Sequence, residues 1–191
     1  MPSYISGDDN FDSADVGGGV ELITSHTFTT AAASWDITLP TGYDYHILQG
    51  NWPVPSTAWN DLRMRFFDAS ALITGAEYHV GKNERGSYFT DLDSQYAPLT
   101  GAYHANNSGD YIFGRLQIWH ALDSSVQTVW EFTGDQRSVN YLGTNTYPLY
   151  IVGRMLYAEV NSKVRFYPNS GNLSPQTGRT DKVSVYGHSF S

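Results

Sequence analysis

The sequence predicts an all-β protein, an antiparallel two-sheet sandwich that is most economically a jelly roll, with an extended N-terminal arm. Three observations predict it. From Val20 onward, short apolar runs are broken by Gly, Pro, Asn or Asp every ten residues or so, the rhythm of sandwiches and barrels. Those runs are rich in β-branched and aromatic residues, which suit a pleated, half-buried surface. No stretch long enough for a helix places apolar residues at the 3, 4, 7 spacing with a cap at each end. A fixed repeat of roughly 20–50 residues, the mark of propellers and solenoids, is absent too.

Residues 1–19 are Gly- and Asp-rich and end in Gly17-Gly18-Gly19, where no hydrophobic period can start, so they are expected to form the arm. Ordering such a segment costs about 1–2 kcal/mol per residue. It should therefore order only where Tyr4, Ile5 and Phe11 find apolar slots on a partner. Residues 20–191 are expected to form one sandwich domain, with about ten strands at 21–29, 34–39, 45–49, 62–66, 77–80, 111–119, 126–132, 150–157, 163–167 and 182–186. Alternation is clearest at 62–66: Leu62, Met64 and Phe66 share one face, and Arg63 and Arg65 point outward. Trp35 and Trp130 lie in strand-like runs and are expected in the core, whereas 51–61, with two prolines between Trp52 and Trp59, reads as a loop.

Composition bounds the function. The 191 residues contain 11 Lys+Arg against 19 Asp+Glu, a net charge of -8, so the basic stripe that nucleic acid requires cannot be built. With no cysteine, disulfide scaffolds, thiol nucleophiles, Fe–S clusters and Cys-zinc sites all drop out. Neither a signal peptide nor the ~18-residue apolar run of a membrane helix is found, so no membrane partner is expected. A charged fraction of 16% is low beside the roughly 25% of an ordinary domain, which points to surface buried against another chain.

Motifs for chemistry are weak. Asp8, Asn10 and Asp12 match the first ligand positions of a calcium loop, but Ser13 and Gly19 stand where the turn glycine and the bidentate Glu belong. Asp91 and Asp93 read as turn residues. The six histidines show no His-x-His or His-Glu-x-x-His spacing; His26 and His46 are expected to be half-buried imidazoles, and His104 and His188 to lie beside turns. No Gly-x-Ser-x-Gly elbow, phosphate loop or pairable carboxylates emerge, so no catalytic residue, metal or cofactor is expected. Aromatics are the one excess. Trp52, Trp59 and Asn60 have the composition of a loop that stacks a sugar ring or meets a neighbouring subunit.

Two regions carry a resemblance. Leu39-Pro40-Thr41-Gly42-Tyr43-Asp44, leading into Tyr45–Asn51 and then Asp61-Leu62-Arg63-Met64-Arg65-Phe66, resembles the opening of a family of small virion proteins of tailed bacteriophages. Val164-Arg165-Phe166-Tyr167-Pro168-Asn169-Ser170-Gly171-Asn172-Leu173 and Val183-Ser184-Val185-Tyr186-Gly187 are similar to the closing strands of that family. The matched parts cover about a third of the chain; the loop 175–181 is longer than the family pattern, and 70–150 does not align. An acidic, cysteine-free chain with few charges and a flexible arm suits a protein on the capsid exterior, bound to the major capsid protein and trimeric with itself, and the resemblance implies a virion jelly roll that serves as such a decoration (cement) protein. It equally implies a tail-associated domain, whose partner would be a host surface glycan. It supplies no catalytic residues.

Overall fold

The computed structural model describes residues 19–57, 59–68, 71–84, 87–101, 109–137, 146–176 and 178–190, and among these the only regular structure is β. The described residues form fourteen strands: β1 (Val20–Phe28), β2 (Trp35–Thr38), β3 (Tyr45–Trp52), β4 (Val54–Pro55), β5 (Leu62–Phe67), β6 (Tyr78–Glu84), β7 (Ser87–Ser94), β8 (Ala97–Pro98), β9 (Tyr111–Trp119), β10 (Val129–Arg137), β11 (Tyr147–Met155), β12 (Lys163–Pro168), β13 (Leu173–Ser174) and β14 (Asp181–His188). An eight-stranded sheet runs β1-β14-β3-β9-β10-β11-β6-β7 and a four-stranded sheet runs β2-β12-β5-β8, while β13 and β4 pair apart. Every pairing is antiparallel.

Alternation builds the core between the two sheets. β5 and β12 turn Leu62, Met64, Phe66, Val164 and Phe166 inward, and β9, β10 and β11 answer with Ile112, Leu116, Ile118, Trp130, Phe132 and Ile151, all without solvent exposure. Aromatic rings join the layers: Trp52 lies 5.0 Å from Phe166, and Phe66 lies 5.6 Å from Trp130. The Tyr78 hydroxyl accepts the backbone N–H of Phe66 at 2.8 Å, which ties β6 of one sheet to β5 of the other. Burial raises the Tyr78 hydroxyl pKa, so that oxygen stays protonated.

Rings this large need backbone close beneath them, and glycine provides it. Gly153 stands directly opposite Trp130, where a Cβ would lie under 3.0 Å from the indole. Gly114 serves Phe132 in the same way, and its carbonyl accepts the Trp52 indole N–H at 3.1 Å.

Several expectations need correction. Trp52 is not in a loop: it ends β3 and is fully buried, because the chain stays extended through Val54–Pro55 to pair with β13. Asp91 and Asp93 lie within β7 rather than on a turn. His26 is exposed, stacked 4.8 Å from the partly buried Trp35, whereas His46 is fully buried. Trp130 is in the core as expected.

Candidate binding surface

The eight-stranded sheet is wider than the sheet that covers it, and among the described residues no other sheet covers its second face. Register fixes what stands there. One row sets Val20 opposite His188, His188 opposite Tyr45, Tyr45 opposite Trp119 and Trp119 opposite Val129. The next row sets Leu22 opposite Tyr186 and Tyr186 opposite Ile47, after which Gln117 and Glu131 stand between Ile47 and Val152 of β11. Apolar and aromatic side chains thus form a band two rows deep over β1, β14 and β3 that narrows to the single row of Trp119 and Val129 on β9 and β10. Val20 and Leu22 are 53% and 56% exposed, and Val129 is 39% exposed.

The C-terminus extends this band. Tyr45 stacks on His188 with ring centroids 4.5 Å apart, and Phe190, itself 66% exposed, packs 5.6 Å from Tyr45. Phe190 is held by its backbone N–H, which donates to the Asp44 carboxylate, and Ser189 Oγ donates to the Gly42 carbonyl at 3.0 Å. Toward β6 and β7 the band leads into a shallow groove of about 360 Å³ lined by His79, Gly81, Thr90, Val129, Val152 and Arg154. Beyond the band the same face turns polar, with Ser25 and Ser184 hydrogen-bonded at 2.9 Å and Arg115 beside Thr133. An apolar strip with a polar margin on an open sheet is the anatomy of a protein-binding surface.

The predicted loop site is reduced to one presented side chain. Trp59 is 59% exposed and has a φ of 61°, a left-handed backbone conformation that is strained for a bulky residue. Asn60 is buried rather than offered to a ligand. Its Nδ2 donates to the carbonyls of Thr57 and Ser170, each at 3.2 Å, and to Ser170 Oγ at 3.0 Å, while its Oδ1 accepts the Ser170 N–H at 3.0 Å. Ser56 and Asn172 add two more bonds between the same loops, at 2.8 and 3.0 Å. Asn60 is therefore the clamp that holds Trp59 out, and Trp52 takes no part. Tyr4, Ile5 and Phe11 lie outside the described residues, as do the Asp8–Asp12 cluster and His104.

His46 and Glu159, two titratable groups with displaced pKa, sit apart from both features. Burial lowers the pKa of His46, partly offset by the hydrogen bond of its Nε2 to the Pro40 carbonyl at 2.9 Å. Burial, then the neighbouring carboxylates of Glu77 and Asp68, raises that of Glu159. Among the described residues no group of three or more His, Asp or Glu could hold a metal ion.

Sequence reasoning missed the open-face band. A signal was present in 111–119, where Ile112, Leu116 and Ile118 alternate with Phe113 and Trp119, so both faces of one strand carry apolar residues. Only the pairing register shows that Trp119 meets Tyr45 and Val129 rather than solvent alone. Comparison with protein-family models, with curated proteins and with solved structures finds no match to this chain.

Proposed function

We propose that this chain is a structural protein of a tailed-bacteriophage virion, a decoration protein that lies on the capsid exterior and holds neighbouring capsomers together. The observation that carries the reading is the apolar band on the open face of the eight-stranded sheet, a surface suited to adhesion by burial. The partner is the major capsid protein. Self-association, as a trimer at a local symmetry axis, would present several such faces at once and multiply weak single contacts. Specific interfaces bury roughly 800 Å² per partner around an apolar core, so adhesion of this kind needs an apolar strip with a polar margin and no catalytic groups. The arm would add anchors at Tyr4, Ile5 and Phe11 on a neighbouring subunit. The test is the copy number of this chain relative to the major coat protein in purified virions that encode it. Parity or a simple fraction of parity supports a shell component, whereas a far smaller ratio points to a tail or fibre and absence refutes the virion reading.

Trp59 favours a second reading, a glycan-binding domain of a tail or head fibre. A tryptophan held outward by a rigid pair of loops is a platform for a sugar ring. Titration of tryptophan fluorescence with host polysaccharide tests it; no change at about millimolar sugar, the weak end of useful affinity, counts against it.

A further inference from the structure

The open face of the four-stranded sheet has a different chemistry. Arg63, Arg65, Lys163 and Arg165 all lie there, so four of the eleven basic residues of a chain with net charge -8 share one small patch. Register sets Arg65 directly opposite Arg165. Like charges so placed repel unless an anion stands between or beside them.

Two of the three arginines have one. Arg63 Nε lies 3.0 Å from both carboxylate oxygens of Asp61, and its guanidinium lies 3.8 Å from the Tyr96 ring centroid. Arg165 makes a two-pronged pair with Asp36, both bonds at 2.7 Å. Arg65 differs: its Nε donates to the Gln95 carbonyl at 2.8 Å, its guanidinium lies 5.2 Å from the Tyr167 ring centroid, and no carboxylate pairs with it among the described residues. A cavity of about 270 Å³ is lined by Arg65 and Arg165 together with Ala33, Ser34, Leu72 and Tyr167.

We propose that this cavity is a binding site for a carboxylate group, held by the Arg65 guanidinium with Arg165 as the second cation and Ser34 Oγ as a hydroxyl donor. The net charge at the site selects the ligand class. Within the cavity Asp36 cancels the charge of Arg165, and a monoanion meets the one left on Arg65. A planar guanidinium fork matches the two coplanar oxygens of a carboxylate. Leu72, Ala33 and the Tyr167 ring form an apolar wall for the carbon that bears the group, and the volume suits a short acidic side chain or the acid end of a sugar. This site lies on the opposite side of the sandwich from the apolar band and stands whether or not the virion reading holds.

The test is NMR of the arginine Nε–Hε groups in the full chain, titrated in one arm with glucuronate and in another with N-acetylglutamate α-amide, each beside its uncharged counterpart. The expected result is a saturable shift of the Arg65 signal with at least one carboxylate, at a dissociation constant of about 1–10 mM, and none with glucose or N-acetylglutamine amide. Which arm responds shows whether a sugar acid or an amino-acid side chain is the better source. Followed on the Arg165 Nε–Hε signal, Arg65→Gln should weaken binding by at least about tenfold, as expected for loss of a charge-assisted hydrogen bond. Lys182→Gln, at an exposed position on the other sheet, should leave it unchanged. Should Arg65→Gln not fold, Arg65→Lys keeps the charge but loses the fork and should still bind more weakly. No saturable shift in either arm, or undiminished binding in the Arg65 variant, overturns the proposal.

Discussion

Gly153→Ala tests whether the core is built on glycine beneath large rings. A Cβ at this position would stand under 3.0 Å from the Trp130 indole and from the His79 carbonyl, well inside ordinary contact at 3.4–4 Å. Trp130 cannot retreat, since Phe66 lies 5.6 Å and Tyr78 6.0 Å from it and all three rings are fully buried. Overpacking of this kind costs about 1–3 kcal/mol. Replacing Gly by Ala also restricts the unfolded chain, which returns about 0.4–1 kcal/mol. The steric effect wins, so a net loss of about 1–2 kcal/mol is expected, read as a fall in Tm of about 3–6 °C for a domain of this size. Trp130→Phe should rescue it. The indole Nε1 has no hydrogen-bond partner among the described residues, so the smaller ring sacrifices packing but no hydrogen bond. Urea unfolding of both single variants and the double variant should give a coupling energy of about 1–2 kcal/mol, with the pair less damaging than the sum. Gly153→Ala within about 0.5 kcal/mol of the parent, or strict additivity, would refute the argument.

Asn60→Ala should cost about 2–3 kcal/mol, because it strips four hydrogen bonds worth about 0.5–1.5 kcal/mol each, at the low end of that range since their partners on Thr57 and Ser170 are exposed and turn to water. Calorimetry should show Tm lower by about 5–10 °C, and an unchanged Tm would mean the two loops are held otherwise. His46 has its pKa lowered by burial in the folded state, so below its unfolded pKa of about 6.5 the unfolded chain takes up a proton that the folded chain resists. Stability should therefore decline as pH falls from about 6.5 toward the lower folded value, and His46→Phe should flatten this part of a urea-denaturation pH series. A slope unaltered by the substitution would place the titration elsewhere.

How much of this was legible depended on whether a feature is local. Strand β9 occupies the same residues, 111–119, that alternation indicates, and the inward triplet Leu62, Met64 and Phe66 is buried as its pattern requires. β4, β8 and β13 are two residues long, too short for any alternation to show. β7 was hidden because Asp91 and Asp93 favour turns, and its pairing with β6 overrides that preference. Trp52 was misplaced because the prolines that follow it usually mark loops. Here Pro55 ends a two-residue pairing with β13 and costs the ladder little. The composition of the 51–61 segment pointed to Asn60, but its role as a clamp depends on Ser170, 110 residues away. The apolar band and the arginine-lined cavity are equally invisible locally, since each is made by register between strands distant in sequence.

The most direct test of the adhesive-face account is binding of the Leu22→Glu/Val129→Glu double variant to purified capsids that lack this protein. Both positions are exposed, so the variant should fold with an unchanged Tm. Two carboxylates placed in the band would have to be desolvated on docking, at a cost of about 1–3 kcal/mol each or more, so co-sedimentation with the shells should fall by at least about tenfold. Co-sedimentation equal to that of the parent protein would contradict the account and move the docking surface elsewhere on the molecule.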